Sequence, residues 1–431
     1  MDYLTLDSLV GKLTGKLVFL RVDTNTTLIG GNFEPNERII SAGDTIKWLT
    51  SHGAKVVVAT HNGREGNPDY VSVGPLVWRF RNNLVPVTSI GNTFDGDNLN
   101  DAAMKAIHEL TDGEALLLEN LRFMPGESKK MSAEQYAQTP FIRTLIDDLH
   151  VEYMISDGFS IAHRPCRSLL GFCEIPNIAG LSMHQELSSL SKIYGFFNDP
   201  RGKNVYILGG KKIQDYFALI EHSLKTGVVH HILTGGLLAN LILYTKGINI
   251  GKPSMALLEK KDDKGKSIID YAPRLRELLG QYRDIFEFPT DVAYQVNRKR
   301  IECDITNIPP DLAEKGMILD IGDKTTHRYV DIIGQAQLVY VKGPVGKFED
   351  LEFNSGSSRT LSALRSEKIY SVMGGGDTTV MLTHFKVPKM EIKYISLAGG
   401  ALLLALAGEK LPGVNALEQS YNIFHRKILE H

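Results

Sequence analysis

Short runs of β-branched and aliphatic residues alternate along this chain with stretches of helical length, and few architectures accept that order. Strands separated by helix-length connections pair side by side in parallel, and the helices between them cover both faces of the sheet. In the first half the strand candidates are Lys16 to Asp23, Lys55 to His61, Ala115 to Asn120 and Tyr153 to Phe159. In the second half they are Val205 to Gly210, His230 to Gly236, Ile285 to Asp291, Ile318 to Gly322, Gln337 to Pro344, Ile369 to Gly374 and Tyr394 to Gly400. A helical segment, about Leu181 to Tyr194, and the turn-rich Asn198-Asp199-Pro200-Arg201-Gly202 lie between the halves. Single cores rarely grow past about 250 to 300 residues, so 431 residues predict two α/β domains.

Composition narrows the partners. Lys and Arg number 48 against 50 Asp and Glu, which gives no global attraction to nucleic acid or to an anionic membrane. Any anion site must be a local cluster. Cys166, Cys173 and Cys303 have no zinc-like spacing and leave an odd thiol, as expected in a reducing cytoplasm. The start, Met1-Asp2-Tyr3-Leu4, is acidic where a signal peptide is basic, and the apolar run near Gly400 to Ala407 is too short to span a bilayer. The expectation is a cytoplasmic protein that binds neither nucleic acid nor membrane, more readily monomeric than oligomeric.

The strand ends, where open α/β sheets place ligands, differ between the halves. First-half strands end in polar and charged residues: Arg21-Val22-Asp23-Thr24-Asn25, His61-Asn62-Gly63-Arg64, Glu119-Asn120-Leu121-Arg122, and Asp157 leading to His163-Arg164, with Arg38 at a helix start. Arginine suits phosphate and carboxylate because its planar fork stays charged and binds in bidentate fashion. Among these arginines His61 reads more readily as a hydrogen-bond donor to the same anion than as a general base. Second-half strands end in glycine: Gly209-Gly210 before Lys211-Lys212, Gly235-Gly236, Gly343-Pro344-Val345-Gly346, Gly374-Gly375-Gly376-Asp377-Thr378 and Gly399-Gly400. Bare backbone amides at a helix start can approach phosphate, and a neighbouring carboxylate can hold the accompanying magnesium.

In order and over nearly its whole length, the chain resembles phosphoglycerate kinase. The segments that carry the resemblance are those strand ends together with Glu37-Arg38-Ile39, Leu118-Glu119-Asn120-Leu121-Arg122-Phe123, Ala162-His163-Arg164, Lys347-Phe348-Glu349 and Leu411-Pro412-Gly413-Val414. The resemblance implies two Rossmann-like parallel-sheet domains with a central cleft and a hinge. The first would take residues 1–180, joined by the returning segment 414–431; residues 181–202 would form the hinge, and 203–413 the second domain. It implies 3-phosphoglycerate or 1,3-bisphosphoglycerate on Asp23, Asn25, Arg38, His61, Asn62, Gly63, Arg64, Arg122 and Arg164. Mg2+ with ATP or ADP would meet Gly210, Lys211, Lys212, Gly236, Lys342, Pro344, Gly346, Glu349, Gly375, Gly376, Asp377 and Thr378, with Asp377 on the metal. Arg38, Lys212, Gly376 and Gly399 would be catalytic.

The chain also departs from the family pattern. Tyr216 stands where a second lysine often follows Lys212, Lys342 where asparagine usually precedes Gly-Pro, Lys211 where alanine is usual, Thr24 where phenylalanine is usual, and Ala398 where the last turn has glycine. One expectation is that Lys342, or failing it Lys211, supplies the charge that Tyr216 lacks; the other is that both lysines face solvent. Ala398 raises the question whether a methyl group obstructs an amide cradle, which depends on the sign of its φ. Two alternatives to an active kinase follow: a binding or regulatory paralogue without turnover, and a kinase for another phosphorylated acid.

Overall fold

The structure, a computed structural model, describes residues 1–262 and 265–429, apart from the side chain of Asp377. The chain divides into one unit of Met1–Ser189 with Lys410–His431 and another of Leu190–Glu409.

In the first unit six strands form an all-parallel sheet: Leu17–Val22 (β1), Lys55–Ala59 (β2), Val87–Thr88 (β3), Ala115–Leu117 (β4), Tyr153–Asp157 (β5) and Asn177–Ala179 (β6). Their order is β6-β5-β1-β2-β4-β3. The pleat sorts β1 between two cores. Val18, Leu20 and Val22 pack with Ile39, Ile46 and Leu49 of helix α1 (Glu37–Ser51), while Phe19 faces Val57, Leu116, Phe141 and Met154 on the other side. Each such side chain contributes about 1.5 to 3 kcal/mol by leaving water, which holds the sheet between its helices. Asn36 starts α1, its side chain accepting from the Ile39 amide at 3.0 Å. Ile428, from the last helix Pro412–Leu429, joins the same core as α1.

Strand β4 stops at Leu117, short of the expected Asn120, because Glu119 and Asn120 turn their polar groups to neighbouring loops. Strands β3 and β6, of two and three residues, are too short to show periodicity and were not expected.

In the second unit Asn204–Leu208 (β7), His231–Thr234 (β8) and Phe286–Glu287 (β9) share a parallel sheet with three later strands. Between them, Asp291–Val296 (β10), Lys299–Asp304 (β11) and Met317–Ile321 (β12) form a separate antiparallel sheet. The parallel sheet is completed by Leu338–Lys342 (β13), Tyr370–Gly374 (β14) and Tyr394–Ser396 (β15), in the order β9-β8-β7-β13-β14-β15. The expected strand Ile318 to Gly322 therefore exists as β12 but lies outside the parallel sheet. The candidate Ile285 to Asp291 is divided between β9 and the start of β10, with Pro289 in the gap. The hairpin β10–β11 turns on Asn297 and Arg298, both at positive φ (47° and 64°), as a primed turn requires; without glycine it leaves a weak sequence signal.

Helix α2 (Leu181–Phe197) starts where the Asp157 carboxyl, closing β5, accepts from the Met183 amide at 3.0 Å. No helix among the described residues is long and apolar enough to cross a membrane.

Burial pushes the Asp157 carboxyl up to about 7, against the opposing pull of the Thr45 hydroxyl and the Met183 and Ser182 amides. The folded protein therefore keeps a proton that the unfolded chain loses near pH 4, so the stability this group contributes is lost as pH rises from about 4 to 7. Asp157→Asn is expected to gain on the parent by up to about 1.4 kcal/mol per pH unit across that window. Thermal unfolding of both proteins at several pH values measures it; a pH-independent difference would contradict the assignment.

Candidate active site

At the carboxyl edge of the first sheet the loops after β1, β2, β4 and β5 surround a cavity of about 760 Å3 whose wall includes Arg21, His61, Arg64, Arg122 and Arg164. Burial and then the neighbouring Arg164, Arg21 and Arg64 guanidiniums pull Arg122 down to about 10. Arg164 shifts in the same direction, through burial and then Arg64. Cations crowd one another here, and a multiply charged anion would relieve that repulsion.

Arg21 and Arg164 have their guanidiniums held by neighbouring side chains. Arg21 Nε donates to Ser168 Oγ at 2.8 Å, Ser168 Oγ donates to Glu127 at 2.5 Å, and the Ser168 amide donates to the same carboxylate at 3.1 Å. Arg21 Nη2 lies 3.1 Å from His61 Nδ1. A guanidinium only donates, so Nδ1 is the acceptor and the imidazole proton sits on Nε2. Burial, and after it the Arg21 charge, hold His61 well below the usual imidazole range. His61 is thus a neutral donor. Arg164 Nε donates to His163 Nε2 at 3.2 Å; the Arg122 carbonyl accepts from the Tyr70 hydroxyl at 2.8 Å, and its amide donates to Asn120 Oδ1 at 3.2 Å.

Asp23, Asn25, Asn62 and Gly63 form the frame of this edge. Burial opposes ionisation of Asp23, but Arg38 at 3.0 Å, the Ser160 hydroxyl and the Asn25 amide outweigh it and hold the carboxyl below its usual range. Asn25 Oδ1 accepts from the Gly63 amide at 2.9 Å. Asn62 is fully buried; its side chain joins the backbones of Thr26 and Asp69, and its carbonyl accepts from the Asn120 side-chain amide at 2.8 Å. Thr24 is accommodated by Thr60, the hydroxyls 2.9 Å apart.

Several wall residues were outside the expected set. Arg21 had the clearest signal, a charged side chain inside the otherwise apolar run Leu17–Val22, and Tyr70, Glu127 and Lys130 had none.

In the second unit a groove of about 650 Å3 is lined by Gly210, Lys211, Gly236, Pro344, Gly346 and Glu349, with apolar walls from Leu257, Val292 and Phe348 among others. Its floor is packed backbone. The Gly210 amide donates to Pro344 O at 2.7 Å and the Gly236 amide to Val345 O at 2.9 Å; a Cβ on Gly236 (φ +53°) would meet Gly210 N at 2.6 Å. Helix α3 spans Tyr216–Thr226, and the start of α4 (Gly236–Thr245) belongs to the groove wall; outside that wall lie Lys212, exposed one residue on, and the turns at the starts of α5 (Gly376–His384) and α6 (Gly399–Leu406). Gly375, at φ +97°, precedes α5, and Thr378 Oγ1 accepts from the Gly343 amide and donates to Gly374 O. Asp377 is the second residue of α5; its side chain, the expected magnesium ligand, lies outside what the structure describes. Ala398 has φ −119°, an ordinary conformation for an L residue, and its methyl is buried. Among the described residues no group of three or more His, Cys, Asp or Glu could hold a metal by itself.

The profile of the family described as Phosphoglycerate kinase matches residues 7–409. This chain belongs to the phosphoglycerate kinase family. It is a kinase, and the family uses ATP and ADP as co-substrates. The phosphoglycerate kinase of Pyrococcus abyssi is 34% identical over 410 residues, covering 95% of this chain and 96% of that protein. That of Methanopyrus kandleri is 33% identical over 403 residues, covering 93% and 94%. The crystal structure of phosphoglycerate kinase from Pyrococcus horikoshii OT3 superposes with a TM-score of 0.83 at 30% identity, over 97% of this chain and 99% of that one. The phosphoglycerate kinase structure from Coxiella burnetii gives 0.76 at 26% identity over the same shares.

The tautomer of His61 is open to direct measurement. Nitrogen chemical shifts of labelled protein are expected to show a neutral ring protonated on Nε2 from neutral pH down past about 6.5, the unperturbed imidazole value. A titration at or above 6.5, or a proton on Nδ1, would contradict the Arg21 contact.

Proposed function

We propose that the chain carries out reversible, Mg2+-dependent phosphoryl transfer between 1,3-bisphosphoglycerate with ADP and 3-phosphoglycerate with ATP. The first unit holds the phosphoglycerate and the second the nucleotide. The observation that carries this reading is the crowding of Arg21, Arg64, Arg122 and Arg164 around one cavity, which suits an acid bearing several negative charges. The backbone-floored groove of the second unit suits a flat nucleoside, with Glu349 at hand for the ribose.

The chemistry asks little of side-chain acids or bases. In the ATP-consuming direction a carboxylate oxygen of 3-phosphoglycerate attacks the γ-phosphorus. The new O–P bond forms as the bond to the β-phosphate oxygen breaks, and ADP leaves with that electron pair. No proton is transferred at neutral pH, in keeping with a neutral His61 that only donates. Catalysis therefore comes from positioning and from neutralising charge on the moving phosphoryl oxygens. Arg38 and Lys212 would supply positive charge, with amides at Gly376 and Gly399 completing the cradle. Asp377, at the start of α5, would hold the Mg2+, which would offset negative charge on the nucleotide phosphates. The substrates must meet with water excluded, so the two units would close about the segment 181–202, and reopening would limit the rate.

Two structural facts favour turnover over an inactive binding role. Tyr216 is buried and braces backbone, and Ala398 carries no backbone strain. The retained arginines likewise favour phosphoglycerate over another acid. The near-neutral charge is consistent with a cytoplasmic monomer that binds neither nucleic acid nor membrane.

A coupled assay with 3-phosphoglycerate, ATP and Mg2+ is expected to show turnover. Arg38→Ala and Lys212→Ala should each lower kcat by at least about a hundredfold, roughly 2.7 kcal/mol of barrier. Nucleotide binding without turnover in the parent protein would overturn the reading.

A further inference from the structure

Strand β13 ends on Lys342, and its backbone is clamped there. The Lys342 carbonyl accepts from the Gly209 amide at 2.9 Å and lies 3.1 Å from the Tyr216 hydroxyl. That hydroxyl also donates to Gly209 O at 2.6 Å, so one buried tyrosine joins the ends of β7 and β13. Tyr216 therefore brings no charge to the site, but it fixes the point from which the Lys342 side chain departs.

The side chain runs to the meeting point of two glycine turns. A Cβ on Gly375 would come within 2.6 Å of Lys342 Nζ and 3.5 Å of its Cε; one on Gly399 would come within 2.8 Å of the same Nζ. The turns touch each other as well, since the Gly399 Cβ would also lie 2.6 Å from Gly375 N. Gly375 caps α5 and Gly399 opens α6, so the ammonium stands where two helix N-termini converge. Three positive features on one spot suit an anion, and helix ends contribute only partial charges where the ammonium contributes a whole one. Lys342 is absent from the wall of the nucleoside groove, which contains Pro344 and Gly346 only two and four residues on. Its ammonium therefore belongs to the phosphate end rather than the base end.

We infer that Lys342 is a catalytic residue of the proposed phosphoryl transfer, neutralising the transferred phosphoryl oxygens from between the Gly375 and Gly399 turns. The inference rests on the reaction assigned above. A fixed ammonium there stabilises the charge that develops as the O–P bond to ADP breaks and the bond to the carboxylate oxygen forms, and it needs no proton transfer of its own. Such a group acts more strongly on the transition state than on bound nucleotide.

Steady-state kinetics of the full chain, with calorimetric binding of Mg-ADP, tests this on Lys342→Met, which keeps the length of the stem, and on Lys342→Arg, which keeps the charge. Lys342→Met is expected to lose at least about tenfold in kcat, roughly 1.4 kcal/mol of barrier, with a similar fall in kcat/KM for phosphoglycerate. Mg-ADP affinity should change less than about threefold, well under the 1.4 kcal/mol of a tenfold effect. Lys342→Arg should recover part of the loss, and both variants should unfold at temperatures close to the parent. Retention of more than a tenth of parental kcat by Lys342→Met overturns the inference. So does a loss confined to Mg-ADP affinity, or one that Arg fails to recover while the fold is intact. Absence of turnover in the parent counts instead against the proposed reaction.

Discussion

Repulsion among guanidinium groups sets the terms for the first unit. Four arginines, Arg21 on β1 and three on the loops after β2, β4 and β5, face one cavity. For Arg21 the restraint is a buried polar pair behind the wall. Glu127 and Ser168 grip Arg21. Such pairs add little net stability against an apolar alternative, yet losing one partner costs several kcal/mol because the other charge stays buried. Their effect is to fix position. The asparagines act likewise on backbone: Asn62 and Asn120, both fully buried, tie the β2 and β4 loops together.

The second unit solves the opposite problem. A nucleotide needs surfaces that approach closely, and there the limiting quantity is space rather than charge. Gly209, Gly235 and Gly236 sit where a Cβ would strike the backbone at 344–345 or at Gly210. These glycines first permit strand ends to pack, and the resulting closeness leaves a smooth floor for a ligand.

How much could be read without coordinates follows from this contrast. Long apolar runs such as Leu17–Val22 and Lys55–Ala59 announce buried parallel strands, because both faces must be apolar. The two-residue strand Val87–Thr88 announces nothing, since its existence depends on its neighbour Ala115–Leu117. The hairpin at Asn297-Arg298 was hidden because its turn lacks glycine, and β12 could not be assigned to the antiparallel sheet without it. Among site residues, Arg64, Arg122 and Arg164 were legible as charged residues after strands. Glu127 and Ser168 were not singled out, and Arg21 was read only as part of its strand-end motif, because their roles depend on contacts across 147 and 41 residues of sequence. The protonated nitrogen of His61 is likewise a property of its contact with Arg21 and not of the motif His61-Asn62-Gly63-Arg64.

The departures at Tyr216, Lys342, Ala398 and Thr24 show which features of such a site can move. A backbone amide lies where the fold puts it, and replacing glycine by alanine is tolerated only where φ is negative, as at Ala398. A lysine ammonium is different. Its four-carbon stem lets the same point in space be reached from more than one strand end, so position along the chain is a weak constraint on where the charge arrives. Tyr216 then need not imitate a lysine. By joining Gly209 and Lys342 through their carbonyls it orders the strand end that carries one, and a buried hydroxyl shared by two carbonyls is a firmer support than a second flexible stem. Steric constraints at the glycine turns are therefore stricter than the identity of the cation-bearing position, as expected where close approach is fixed by backbone and charge is carried on a long, adaptable side chain.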